Sequence, residues 1–319
     1  MASLIAVAAG DWNMTTTWNP AQTPVVGDTV DMDTFTVTIP AGITGACLDV
    51  QIPASGTLIL AAGAELVIDD ALSATLNIAA GGALQTSGTT ASPCGIYSAA
   101  AAPTNPIALT IDGTMDLENT SGAGLEIIGI GGTLTLNDSD LSIELSGTTS
   151  ISVALSGSLV MVRSSLRSRD TTKTWFWNFD TAGRITMDKG SDFGDAFIWR
   201  LQGASTALNF TDRPVYIEDV SQPRVVVHGD IIGATTARAR KIGTGPRLVT
   251  VGLAIQGANL DDWSVLNDMK DSLSETTFRF VWDEGYLHEA VIVGVDRDRR
   301  PENVGEILAT LKLIEVTTS

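Results

Sequence analysis

The side chains that could do chemistry are few, and most of them are carboxylates. Inverting glycoside hydrolysis needs two carboxyl groups about 6.5–9.5 Å apart, one protonated and one ionised. Asp138 with Asp140, and Asp69 with Asp70, could supply such pairs. Both pairs stand where turns are expected, and Asp is a common turn former, so the spacing is explained without catalysis. A lyase would need a base beside acidic groups that neutralise a uronate. Residues 1–162 contain fifteen Asp and Glu but no Lys, Arg or His. Lyase activity is therefore not expected there. Asp28, Asp31 and Asp33 offer oxygen atoms to a calcium ion, but no loop of the required ligand density surrounds them. Cys47 and Cys94 have no CxxC partner and read as free, small hydrophobes. His228 and His288 are isolated. No nucleophile elbow, phosphate-binding loop or dinucleotide fingerprint is present. The sequence predicts no catalytic residue, no cofactor and no metal.

The elements that would have to position such groups are short strands. A phrase of Gly followed by apolar residues two apart recurs at Gly56-Thr-Leu-Ile-Leu, Gly113-Thr-Met-Asp-Leu, Gly132-Thr-Leu-Thr-Leu, Gly157-Ser-Leu-Val-Met and Gly183-Arg-Ile-Thr-Met, with a weaker copy at Gly82. Residues two apart share one face of a strand, and the Gly is expected to free the backbone for a corner. From Gly113 onward the spacings are 19, 25 and 26 residues. Repeats in that range mark solenoids, in which each unit buries its apolar edge on the next. The fold expected is mainly β: a right-handed parallel β-helix followed by a small α+β or β-sandwich-like C-terminal domain. Trp12 and Trp18 are expected to cover the open end of the stack within capping turns over residues 1–45.

The net charge of −18 is unevenly spread, because all nineteen Lys and Arg fall after residue 162. The acidic half would repel phosphates, so no nucleic acid is expected as a partner. No apolar run reaches the roughly 18 residues that a spanning helix needs, so no membrane insertion is expected. The opening apolar run lacks the basic residues that begin a secretory signal, and reads as a first strand.

Beyond residue 162 the character changes. Trp175, Trp177 and Phe179 alternate, with Phe193, Phe197 and Trp199 close behind. Such rings form an aromatic platform for a sugar, a subunit interface, or the core of a widened coil. Trp175, Trp177 and Trp199 with Arg163, Arg167 and Arg169 are the candidate interface, since aromatics and Arg anchor such contacts. The acidic repeat resists lateral self-contact, so a homo-oligomer, a trimer among the options, is expected to associate beyond Arg163.

The expected division is a solenoid over 1–228, whose aromatic-rich last coils span 163–228, a glycine- and Arg-bearing linker over 229–246, and a β-rich docking module over 247–319. In that module strands are predicted at 247–255, 276–282, 287–295 and 307–316. Leu260, Trp263, Leu266, Met269 and Leu273 recur at helical spacing and predict one short helix.

Trp12, Trp18, Pro24, Gly27-Asp-Thr-Val and the following Thr36-Val-Thr-Ile resemble the opening turns of β-helical proteins of phage virions and bacterial surfaces, over roughly the first 90 residues. The last segment, with its hairpin, its charged loop bearing Pro301 and its final Leu311-Lys-Leu-Ile-Glu-Val, resembles tail-tip and baseplate modules of tailed phages over roughly 70 residues. The resemblance implies a non-enzymatic structural protein of a tailed-phage virion, assembled in the host cytoplasm, attached to tail tip, baseplate or fibre and partnered by other virion proteins. The alternatives are a capsid decoration protein, and a carbohydrate-binding or depolymerising β-helix that meets a host surface glycan.

Overall fold

The structure is a computed structural model that describes residues 2–69, 74–100, 105–146, 150–170, 172–210, 215–221, 224–229, 238–244, 246–256, 261–272, 277–283, 285–298 and 306–316. The chain is mainly β. It divides into two compact units: Met1–Ile198 with Trp282–Tyr286, and Trp199–Val281 with Leu287–Ser319.

The first unit is made of short strands that alternate buried and exposed side chains, as its Leu-x-Leu and Leu-x-Ile patterns require. A strand pairs in parallel not with its successor but with one further along the chain. In one column Ser3–Ala6, Thr29–Asp31, Asp49–Ile52, Thr75–Ile78 and Ile107–Ile111 follow one another. A second runs through Gly10–Asp11, Thr36–Ile39, Thr57–Leu60, Ala83–Thr86, Thr114–Glu118, Thr133–Asn137, Ser158–Val162 and Arg184–Met187. A third begins with Thr44–Cys47, Glu65–Ile68 and Cys94–Ser98. The 11-residue strand Thr120–Ile130 then serves two columns. Its start continues the third, which goes on through Asp140–Ile143 and Ser165–Ser168, while its end joins the first, which goes on through Ser150–Leu155 and Thr174–Phe179.

The first apolar position of the recurring phrase stacks inside. Leu58, Leu84, Met115, Leu134, Leu159 and Ile185 stand in register, each no more than 2% exposed. The phrase's glycines do something other than expected. None of Gly56, Gly82, Gly113, Gly132, Gly157 and Gly183 has a positive φ, so turning freedom is not their use. A Cβ on Gly132 would lie 1.9 Å from the Gly113 carbonyl oxygen, and one on Gly157 would lie 1.9 Å from that of Gly132. The residue after each glycine donates its N–H to the glycine carbonyl one circuit back: Thr114 to Gly82 at 3.0 Å, Thr133 to Gly113 at 2.8 Å, Ser158 to Gly132 at 2.8 Å and Arg184 to Gly157 at 2.9 Å. The glycine clears the path of that bond.

Among its described residues the second unit holds a seven-stranded antiparallel sheet, a separate two-stranded pair and one helix. The larger sheet's order is Ala207–Asn209, Arg200–Gln202, Phe278–Trp282, Gly285–Asp298, Glu306–Glu315, Leu248–Gln256 and Val215–Ser221. The strands after residue 247 and the helix Asp261–Asp271 lie where the alternation and helical spacing predict them. Val249, Val251, Leu253, Leu266, Met269, Phe280, Leu311 and Leu313 are buried there. Two boundaries differ from the sequence expectation. The strands between Arg200 and Ser221, assigned above to the last coils of a solenoid, pair with the C-terminal strands instead. The stretch read as a linker contains the strand Arg238–Thr244, paired antiparallel with Arg224–Gly229, because Arg224-Val-Val-Val carries β-branched residues that a tally of glycine and Arg overlooks.

Candidate functional site

The most developed cluster of polar groups lies at the corner between the second and third columns. There Asn119, Asp138 and Arg163 adopt left-handed φ values of 44°, 49° and 48°. Each is followed by a buried hydroxyl residue, Thr120, Ser139 and Ser164, and Ser191 stands one circuit further. The hydroxyls form a ladder. The Thr120 N–H donates to Ser139 Oγ at 3.0 Å, the Ser139 N–H to Ser164 Oγ at 3.0 Å, and the Ser164 N–H to Ser191 Oγ at 3.1 Å. Ser139 Oγ reaches the Asn137 carbonyl at 2.9 Å, and Ser164 Oγ that of Val162 at 2.8 Å. Corner amides that a tight turn would strand without partners are thereby satisfied inside the stack.

Outside this ladder the charged side chains bridge successive circuits. Arg163 grips Asp138 with Nε on Oδ1 at 2.6 Å and Nη2 on Oδ2 at 2.5 Å, and its own N–H donates to Asp188 Oδ1 at 2.9 Å. The hydrogen bond from Arg163, followed by its charge, holds the Asp138 carboxyl below the usual aspartate range. Asp188 is held low chiefly by the Arg163 N–H and the Ser191 hydroxyl. Asp140, the other half of the first candidate pair, accepts the Ser165 hydroxyl. A general acid needs a raised pKa. Asp138 has the opposite shift, and both members of the pair bond to residues on or beside the neighbouring parallel strand. In the second pair Asp70 lies outside the described residues.

The remaining nominated residues are also accounted for locally. Asp28 is buried and accepts the Ala2 N–H at 2.6 Å and the Val25 N–H at 3.3 Å, while Asp31 accepts that of Asp33 at 2.7 Å. Cys47 and Cys94 are free and buried. Burial is the largest cause pushing both thiols up, so neither is an activated nucleophile. His288 stands on the strand Gly285–Asp298, and the side chain of His228 lies outside the described residues. Among the described residues no group of three His, Cys, Asp or Glu is placed to hold a metal.

The residues of the candidate interface lie in different surroundings. Trp175 and Trp177 are each 0% exposed. They pack edge to face with ring centroids 5.3 Å apart, and Phe193 and Phe197 lie 5.6 Å and 4.9 Å from Trp175. These rings are core of the first unit, because alternation on the last strand of the first column points them inward. Trp199 belongs to the second unit, edge-on to Phe280 at 6.4 Å. Arg163 and Arg167 are exposed but paired, Arg167 with Asp192 at 3.1 Å, and Arg169 lies 3.7 Å from Glu144. The hydroxyl ladder was not anticipated, although Thr120, Ser139 and Ser164 repeat at 19 and 25 residues, as the glycine phrase does.

No known protein family matches this chain, and no curated protein does. Among solved structures, one described as "Tail of empty GTA particle computed with helical refinement, C6 symmetry" is similar at 12% identity, over 38% of this chain and 91% of that chain, with a TM-score of 0.25. A TM-score that low does not establish a common fold. The functional reading rests on this chain's own residues.

Proposed function

We propose that the chain is a non-enzymatic structural protein of a tailed-phage virion, in which residues 3–187 form a right-handed parallel β-helix and the C-terminal unit attaches it to the tail tip, baseplate or fibre. The observation that carries this reading is the pairing pattern. Strands one circuit apart stay in register through eight strands of the second column, and parallel strands joined by crossovers wind right-handed in nearly all cases. Its support as a structural protein is that Asp138, Asp140, Arg163 and Asp188 all spend their polar atoms on binding one coil to the next. The virion assignment rests on the resemblance of Trp12, Trp18, Pro24 and the Gly27–Val30 turn to phage β-helix openings.

Two measurements test the proposal. Immunogold labelling of intact particles is expected to mark the tail. Label on the head would favour a capsid decoration protein, and unlabelled particles would remove the virion reading. Incubation with host capsule or lipopolysaccharide is expected to release no new reducing ends. Their appearance would replace the structural role with a depolymerising one, and retention on the glycan without cleavage would favour a binding module.

A further inference from the structure

Among the described residues seven large apolar side chains are exposed, and five of them lie in the first 26 positions: Ile5 at 43%, Val7 at 48%, Met14 at 51%, Val25 at 57% and Val26 at 53%. The backbone gathers them at one end of the first unit. Trp18–Asn19 is the edge strand beyond Ser3–Ala6, with Ile5 opposite Asn19. The Val7 N–H donates to the Thr17 carbonyl at 2.9 Å, Thr23 Oγ1 reaches the Asn13 carbonyl at 3.4 Å, and the buried Asp28 ties Val25 to Ala2. Exposed sheet edges are ordinarily guarded by charge. Asp11 is the single charged side chain in residues 2–27, Asp28 is buried and Asp31 stands beside Ile5, whereas residues 28–162 carry fourteen acids and no base.

We propose that this end is a self-association surface, on which a second copy of the chain docks end to end through the same residues. The charge distribution selects the occupant. Side-by-side contact of two copies sets carboxylates against carboxylates, which is unfavourable within a Debye length. An isologous end-to-end contact sets apolar residues on apolar residues and brings together few carboxylates, Asp11 and the partly exposed Asp31 beside Ile5 of each copy. Apolar patches of this kind mark contact sites on otherwise polar proteins. The contact lies at the other end of the first unit's parallel strands from Trp175 and Trp177, and it does not depend on the virion reading.

The test is the solution mass of the full chain by light scattering or sedimentation. Wild type is expected at twice the single-chain 33.4 kDa, with the association preserved as salt is raised. Val26→Lys and Val26→Asp are each expected to return the mass to one chain with unchanged melting, since the position is exposed. An equimolar mixture of the two variants is expected to restore the doubled mass. Met14→Asp provides an independent variant should either Val26 change impair folding. A wild-type mass of one chain overturns the proposal and leaves the apolar end to a different partner. A multiple that Val26→Lys and Met14→Asp both leave intact overturns it as well, and moves self-contact elsewhere.

Discussion

The first unit has tryptophan at both ends of its parallel strands, and the two closures are built alike. Trp12 and Trp18 meet edge to face with centroids 5.3 Å apart and planes at 79°, and Trp175 and Trp177 do the same at 5.3 Å and 82°. All four are at most 1% exposed. Gly45 makes room beneath Trp12, whose carbonyl accepts the Trp18 indole N–H at 2.8 Å. At the other end Phe193 and Phe197 join the pair, and Phe197 bridges to Trp175 where another circuit would have placed a strand. Leu, Ile and Val suffice for interior circuits because the next circuit covers them. A terminal circuit has no such cover and needs side chains broad enough to span the cross-section. The first end leaves five apolar side chains in solvent.

If both closures do the same job, Trp12→Ala and Trp177→Ala should cost similar amounts, about 3–5 kcal/mol each by the usual range for large aromatic truncations. Denaturant midpoints measure this. A large loss at one end with almost none at the other would break the comparison. A smaller effect separates the ends from the interior. Ser164→Ala leaves the Ser139 N–H without its acceptor, and the cost expected is about 1–3 kcal/mol. A change near zero would mean that water reaches the corner and that the hydroxyl ladder is not a closed element.

The smallest effect is a pH dependence confined to the later circuits. Asp138 and Asp188 have folded pKa values below their unfolded ones. Their stabilisation is therefore present above the ordinary aspartate value of about 3.9 and is lost as the pH falls through the folded values. Glu144 behaves in the opposite sense: burial raises its pKa, so its contribution is present in acid and lost as the pH rises through the folded value. Asp138→Asn keeps a residue that tolerates a φ of 49°. Its melting temperature is expected to fall less than that of wild type between about pH 5 and pH 3. Identical slopes would show that the Arg163 pair contributes nothing measurable.

The recurring Gly-x-Leu-x-Leu phrase made the second column legible, because two apolar residues on one face of a strand are a local property. The reason for its glycine was not legible. It depends on a carbonyl one circuit away, which no local pattern contains. The sequence of Trp12 and Trp18 reads as a cap, while the same alternation at Trp175 and Trp177 leaves a sugar platform, a subunit interface and a core all open. Position along the chain cannot tell the last circuit of a stack from a free face, since burial there is decided by Phe193 and Phe197. The strands Arg200–Gln202 and Val215–Ser221 were placed with the wrong unit for a related reason. Short alternating segments carry no mark of whether their partners run parallel or antiparallel.

The glycine ladder implies a tolerance in chain length. Gly82 and Gly113 are 31 residues apart and Gly113 and Gly132 only 19, yet the bonds that lock those circuits, Thr114 to Gly82 and Thr133 to Gly113, measure 3.0 Å and 2.8 Å. The shorter circuit passes through Thr120–Ile130 as one uninterrupted strand in place of two strands and a loop. Each circuit thus returns to the same anchor whatever detour it takes, and the phase is reset at every glycine. Peptide insertions between anchors should leave neighbouring circuits undisturbed, whereas deleting a single residue inside a Gly-x-Leu-x-Leu phrase would propagate to both sides of the stack.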